Sequence, residues 1–188
     1  MKAASADSPL RRGLPPVLDA ATRVLILGSF PGVASLAARQ YYAHPRNHFW
    51  PLLGALLDSP LKDMPYASRL TALRVHRIGL WDIIVCCARA GSADTAIRRA
   101  ELAEIALAQR RSPELELVCF NGQTAARAAP RWREAGYVVR VLPSSSSAYT
   151  LPFVDKLAAW RETMVEAARL RSIGQGLRGG EARAPART

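Results

Sequence analysis

Cysteine, histidine, carboxylates and long apolar runs are all sparse in this 188-residue chain, and each shortage excludes a class of protein. Three cysteines are too few for a disulfide framework. Cys86 and Cys87 are adjacent and Cys119 stands alone, which fits no zinc or cluster spacing. All three sit inside apolar runs and read as buried, reduced core residues. His44, His48 and His76 show no ligand spacing either. No uncharged apolar stretch approaches the ~20 residues that span a bilayer. Met1 to Arg12 lacks the apolar region of a secretory signal, so the cytoplasm is the expected compartment. With 49% hydrophobic and 22% charged residues, the chain has the profile of one soluble globular domain with a sizeable core. Disordered and collagen-like classes are excluded.

The shortage of acids leaves a basic protein. Fifteen Asp and Glu face 26 Lys and Arg, a formal charge of +11. Residues 171–188 contribute +3 and residues 1–12 contribute +2, leaving +6 on the body. A basic body attracts polyanions, nucleic acid foremost. However, 23 of the 26 basic residues are Arg, in an Ala-rich chain. Codon composition alone could produce that bias, so charge by itself does not decide the ligand.

Four short apolar runs read as buried strands: Arg23–Gly28, Leu80–Cys87, Leu115–Phe120 and Tyr137–Leu142. Helical patterns fall between them, at about Phe49–Leu57, Ala67–His76, Ala100–Arg111 and Gly122–Ala129. A last helix is expected over Pro152–Leu170, with Phe153, Leu157, Trp160 and Met164 as its buried stripe. Strands alternating with helices imply parallel pairing and helices on both faces. The predicted fold is α/β, a three-layer α/β/α sandwich around a central four-stranded parallel sheet. Residues 13–170 form the expected domain, after a basic N-terminal extension at 1–12. An Arg- and Gly-rich tail at 171–188 has no apolar periodicity and is expected to be disordered.

In open parallel sheets, ligands bind beyond the carboxyl ends of the strands. The segments following the four runs therefore converge on one edge. They are Gly28-Ser29-Phe30-Pro31-Gly32 with Gln40 to Trp50, then Ala88 to Asp94, Asn121-Gly122-Gln123, and Pro143 with Ser144 to Ser147. This edge has aromatics, amides, small residues and Arg, with few acids. Paired carboxylates for glycan hydrolysis are missing, as are a P-loop, a three-glycine dinucleotide fingerprint and a Gly-x-Ser-x-Gly elbow. What remains suits a flat, neutral aromatic ligand held by stacking and amide hydrogen bonds, with phosphates nearby. A nucleobase fits that description.

Three segments carry a family resemblance: Gly28-Ser29-Phe30-Pro31-Gly32, Tyr42-Ala43-His44-Pro45-Arg46-Asn47-His48-Phe49-Trp50, and Leu142-Pro143-Ser144-Ser145-Ser146. Together, and in this order, they resemble the uracil-DNA glycosylase superfamily. The nearest branch is that of the hypoxanthine-DNA (deoxyinosine) glycosylases, beside the mismatch-specific uracil/thymine glycosylases. The resemblance spans about Val24 to Trp160. It implies that Gly28, Ser29, Phe30 and Pro31 line the base pocket and that Tyr42 stacks on the flipped base. Most branches place a water-directing Asp or Asn where this chain has Phe30. The deoxyinosine branch is implied to use the Asn of the His-Pro-Arg-Asn segment, here Asn47, with Asn121 as a second important amide. Pro143 and Ser144 to Ser147 match the loop that clamps the opened duplex, and Arg46 is a candidate phosphate contact. The histidine of that loop in classical uracil enzymes appears here as Leu142.

The resemblance thus implies a monofunctional DNA glycosylase that releases hypoxanthine, acts as a monomer on double-stranded DNA with a deaminated base, and needs no metal or redox cofactor. No catalytic lysine stands in the motifs, since Lys62 and Lys156 lie outside them. A neutral amide such as Asn47 can align water and stabilise dipoles but is no strong base. Each assignment has a plainer rival. Asn47 could cap the helix that follows, although Pro51 would then fall where the first intrahelical donor is needed. Asn121-Gly122 could be an ordinary strand-to-helix turn. Arg89 and Arg140 are further candidate phosphate contacts beside Arg46, although a solvated arginine is the commoner explanation for any one of the three. Asp82 and Asp94 read as structural, Asp94 as a helix cap. Two other readings of the whole chain stay open: a mismatch-specific uracil glycosylase, and a catalytically silent nucleotide- or DNA-binding module.

Overall fold

The computed structural model describes residues 9–163 and 165. A short strand, β1 (Leu10–Arg12), precedes the first buried strand, β2 (Val24–Gly28). Helices α1 (Val33–Ala38) and α2 (Phe49–Leu57) lead to α3 (Tyr66–Val75). Strands β3 (Ile78–Asp82), β4 (Ile84–Ala88) and β5 (Arg98–Leu102) follow, then helix α4 (Ile105–Arg111) and strand β6 (Leu117–Asn121). Helices α5 (Gln123–Ala126) and α6 (Ala129–Glu134) lead into β7 (Val138–Leu142), and a final helix, α7, covers residues 153–163. Among the described residues no helix is long and apolar enough to cross a membrane.

The main sheet has the order β3-β2-β6-β7 and every pairing in it is parallel. Its centre is the sequence VLILG, buried along its whole length as a strand covered on both faces must be. Alternate residues serve opposite cores. Val24 and Ile26 join Phe49, Trp50, Leu52, Leu53, Leu73 and Trp160 beneath α2, α3 and α7. Leu25 and Leu27 join Trp81, Ala108, Ala125 and Trp132 on the face covered by α4, α5 and α6. Each fully buried side chain of this size contributes about 1.5–3 kcal/mol, so both faces are strongly specified. The three-layer sandwich with four parallel strands is the architecture expected from the sequence.

The structure corrects that expectation in several elements. The run Leu80–Cys87 is not one strand. β3 stays paired with β2 only as far as the Gly28–Asp82 register, where β2 ends. The chain then turns away, anchored by Ile83 N–H to the Gly28 carbonyl at 2.9 Å, and β4 enters a second sheet. That sheet, with order β1-β4-β5, is antiparallel and had no counterpart in the sequence reading. Leu10–Arg12, placed by sequence in the N-terminal extension, is its edge strand, and the start of the expected Ala100–Arg111 helix is strand β5. The expected Gly122–Ala129 helix ends at Ala126 and is followed by the unanticipated α6. Helix α1 was also missed. Cys87 and Cys119 are buried, whereas Cys86 is only half-buried. Met164, residues 166–170 of the expected last helix and the 171–188 tail lie outside the described residues.

Gly79 shows how tightly β3 is held. A side chain there would begin 2.7 Å from Leu18 Cδ2 and 2.9 Å from the Val17 carbonyl oxygen. Val17 is tied to the same strand by its N–H bond to the Leu80 carbonyl, so the backbone cannot give way. Gly79→Ala is expected to lower stability by about 1–3 kcal/mol through overpacking, read as a shifted urea midpoint at unchanged slope.

Candidate active site

The parallel strands of the main sheet all point one way, and beyond their carboxyl ends lies a cavity of about 660 Å³. Gly28, Ser29, Phe30 and Pro31 line it from the end of β2. Tyr42 and Asn47 line it from the α1–α2 connection, Asn121 from the end of β6, and Ser144 to Ser147 from the segment after β7. Two of the residues singled out by sequence do not. Arg46 is exposed, with its backbone N–H donating to His44 Nδ1 at 3.2 Å. Pro143 lies behind the wall, where its carbonyl accepts the Trp160 indole N–H at 2.9 Å.

Asn121 and Ser145 form a reciprocal pair. The Asn121 amide nitrogen donates to Ser145 Oγ, and its oxygen accepts the Ser145 backbone N–H, both at 2.8 Å. Ser145 is buried, and its carbonyl in turn accepts the His48 N–H at 2.9 Å. The serine segment is thus fixed to the end of β6 and to the start of α2. It is not a free loop. Gly122 makes this approach possible: its φ of 95° suits glycine, and a side chain there would begin 2.9 Å from Ser144 Cβ. From below, the fully buried Lys156 donates to the carbonyls of Ser146 at 3.2 Å and Tyr149 at 2.7 Å.

Asn47 is half-buried on the cavity wall, and its side-chain oxygen accepts the Phe49 N–H at 2.9 Å. The plainer rival for this residue is therefore partly realised: Asn47 does satisfy an orphan donor of α2. The sequence argument against it from Pro51 is corrected. His48 is the cap residue and its carbonyl accepts the first intrahelical bond, from Leu52, so Pro51 falls among positions whose N–H has no helical partner. The bond to Phe49 uses one lone pair of the amide oxygen and fixes its direction, leaving a second lone pair for another donor.

Tyr42 stacks on Phe49, with ring centroids 3.7 Å apart and planes 11° from parallel. One ring face is thereby covered, which leaves at most one for a base. Its backbone is left-handed at φ 55°, a conformation that costs a non-glycine residue energy. Its hydroxyl is buried, and burial, followed by the charge of Asp82, pushes its pKa upward against a smaller opposing effect of the Asn121 amide.

The expectation of an edge with few acids is wrong in one respect that matters. Asp82 and Asp94 both line the cavity. Asp94 makes no capping bond; it accepts the Ser29 hydroxyl at 2.8 Å. Asp82 is buried at the end of β3, and burial, followed by the charge of Asp94, pushes its carboxyl up to about 7 against a smaller opposing effect of Arg89. Arg89 is not a surface phosphate contact. It is 1% exposed, donates to the Pro31 carbonyl and lies 4.7 Å over the Phe30 ring, so it braces the loop after β2. Arg140 donates to its neighbour's carbonyl, Val139, at 2.9 Å.

Three positions that matter here were given other roles in the sequence reading: Asp82 as structural, Arg89 as a candidate phosphate contact and Lys156 as outside the motifs. Asp82 had a readable signal, as the one charged residue in the run LWDIIVCC. Lys156 had one too, sharing a helical face with Phe153 and Trp160. Arg89 had none, because its burial depends on the unforeseen second sheet.

Comparison with known proteins agrees with this geometry. A model of the uracil DNA glycosylase superfamily matches residues 15–167. The chain is 40% identical over 152 residues to the hypoxanthine DNA glycosylase of Methanosarcina barkeri, covering 81% of this chain and 96% of that protein. It is 43% identical over 139 residues to the hypoxanthine DNA glycosylase of Methanosarcina acetivorans, covering 74% and 88%. Among solved structures, the solution structure of a candidate uracil DNA glycosylase from Methanosarcina acetivorans superposes with a TM-score of 0.72 at 39% identity, covering 82% of this chain and 98% of that one.

The Asn121–Ser145 pair gives a direct test of the wall's construction. Asn121→Ala strands the buried Ser145 N–H and should cost about 1–3 kcal/mol in chemical denaturation. Ser147→Ala, at an exposed position of the same segment, should stay within about 0.5 kcal/mol of wild type.

Proposed function

Since the chain belongs to the uracil DNA glycosylase superfamily, we propose that it is a monofunctional DNA glycosylase that hydrolyses the N-glycosidic bond of deoxyinosine and releases hypoxanthine. The observation that carries this reading is the convergence of Asn47, Tyr42 and Asn121 on one strand-end cavity, in a chain 40% and 43% identical to proteins named hypoxanthine DNA glycosylase. The same placement weighs against a silent binding module, for which Asn47 would be turned away from the cleft.

The substrate is duplex DNA carrying a deaminated base, bound by the protein as a monomer. The target nucleotide leaves the stack at a cost of a few kcal/mol, least at a mispair. The uncovered face of Tyr42 returns about 1–3 kcal/mol by stacking on the base. Breaking the bond places positive charge on the sugar and negative charge on the departing base. Asn47, its oxygen already aimed by the Phe49 N–H, accepts a hydrogen of water with the remaining lone pair and holds that water against the sugar carbon. Asn121 contacts the base from a fixed position, and the serine segment clamps the opened strand. Phosphates bind the basic surface, which includes the exposed Arg46.

Single-turnover excision from duplexes with one deoxyinosine or one deoxyuridine tests this. Hypoxanthine release should be the faster reaction. Asn47→Ala should slow it by about 10²-fold or more, because a misplaced nucleophile costs that much. Duplex affinity should stay within about twofold, since a neutral amide adds little to phosphate-driven binding. Preferential uracil release would move the protein to the mismatch-uracil branch. Tight DNA binding with release of neither base would leave the silent module.

A further inference from the structure

The chemistry above supplies no proton to the departing base, and the Asp82 carboxyl on the cavity wall is unused by it. Asp82 is only 4% exposed, lines the cavity, and has an oxygen, Oδ2, with no hydrogen-bond partner. It stands opposite Gly28 in the β2–β3 register. A side chain at residue 28 would collide with Asp82 Oδ1 and come within 3.1 Å of the Tyr42 hydroxyl. Glycine at that position is therefore what leaves room for the Asp82 carboxyl and the Tyr42 hydroxyl at the end of β2.

The groups facing Asp82 come from two further segments. Tyr41 and Tyr42 approach from the α1–α2 connection, while Arg89 and Asp94 approach from the chain after β4. Arg89 is committed to the Pro31 carbonyl and the Phe30 ring, and among the described residues no cation lies within 4 Å of Asp82. A carboxylate so placed, desolvated, next to a second carboxylate and without a cation, favours its neutral form. A base filling the cavity removes the remaining water and strengthens that preference. An ionised Asp82 would also repel the negative charge that builds on a departing base.

We propose that Asp82 meets the flipped purine as a neutral carboxylic acid and donates its proton to the O6/N7 acceptor edge of hypoxanthine as the glycosidic bond breaks. This rests on the glycosylase reading and adds to it a catalytic acid. The C1′–N9 bond breaks with its electron pair going to the base, which takes the Asp82 proton and leaves neutral. Water forms the new bond to C1′ and sheds its proton to solvent, from which Asp82 is reprotonated. The raised carboxyl, at about 7, keeps the acid form populated up to neutral pH.

Single-turnover release of hypoxanthine from a deoxyinosine duplex, followed from about pH 6 to about pH 9, tests the acid. The wild-type rate should be flat at the acid end and fall as pH rises above about 7. Asp82→Asn keeps the shape and a hydrogen-bond donor but has no proton to transfer: the alkaline fall should disappear, leaving a pH-independent rate about 10²-fold below the wild-type acid plateau. Asp82→Ala should be slower by about 10²-fold at acid pH, with melting temperatures confirming that each variant is folded. A wild-type rate that rises with pH, an alkaline fall retained by Asp82→Asn, or Asp82→Ala as fast as wild type overturns the proposal. A wild-type rate that does not fall above about pH 7 overturns the proposal even if a variant does not fold. Release that is independent of Asp82 sinks this inference alone, whereas no release of hypoxanthine by wild type at any pH sinks the glycosylase reading with it.

Discussion

The paired hydrogen bonds between Asn121 and Ser145 are the constraint on which the rest of the site depends. A primary amide that both donates to and accepts from one residue cannot rotate without losing both bonds, so the end of β6 and the segment after β7 move as a unit. Ser145 extends that unit to α2 through its carbonyl, which accepts the N–H of His48. His48 neighbours Asn47, whose own amide is held by Phe49. One buried serine therefore links the two asparagines of the cavity. Their separation is set by this run of hydrogen bonds, three of whose four members have a backbone partner.

Charge is distributed unevenly around this unit, and the unevenness has a chemical logic. The surface is basic, while the cavity wall offers two asparagines, hydroxyls and two carboxyls. Two of the protein's cations are inside, where they hold loops instead of binding solvent. Lys156 bonds to carbonyls of the serine segment and Arg89 to the loop after β2. Among the described residues neither has a carboxylate within 4 Å. A buried cation held by carbonyls and an aromatic ring, with no carboxylate to neutralise it, keeps part of its field, and burial lowers the Lys156 pKa. That field lies under the segment proposed to clamp a phosphate backbone. Backbone dipoles have absorbed the hydrogen-bonding demand of the ammonium group, but its charge is still there for a polyanion to meet.

How much of this was legible in sequence follows from the range of the interactions. The parallel sheet and α2 were readable because they depend on local pattern: VLILG is short, β-branched and ends at a glycine turn, as a strand buried on both faces does, and Phe49–Leu57 keeps an apolar helical face. The convergence of loops on one sheet edge followed from parallel topology alone. The second sheet was not readable. β5 is exposed along its length and carries two arginines and a glutamate, so neither its period nor its composition marks a strand; only its pairing with β4 makes it one. The surroundings of Asp82, read from sequence as a structural residue where the strand turns, were out of reach for a related reason. Its residue type suggested a turn, but its environment comes from Gly28, Asp94 and Arg89, which lie 54, 12 and 7 positions away in the chain. Sequence supplied the residue types of the site, and tertiary contacts supplied their protonation and freedom.

Phe30 poses the remaining question of how hydrolysis proceeds without the acidic or amide side chain that the superfamily resemblance would place there. An aromatic ring cannot orient water, and Asn47 can orient it but cannot take its proton. The attacking water therefore gains little nucleophilicity from this protein. A weakly activated nucleophile requires bond breaking to run ahead of bond making, so the transition state shifts toward a free sugar cation and a charged base. Catalytic stabilisation must then fall on those two charges. The DNA phosphates lie beside the sugar, and only the protein can supply a partner for the base. A pocket floored by glycine, where an uncapped carboxyl and a phenol can reach in, is what such a division of labour requires. Phe30 itself is buried in the core on the face covered by α4, α5 and α6, with Arg89 over its ring, so position 30 offers the cavity no group that could direct water and the burden stays on the partner of the base.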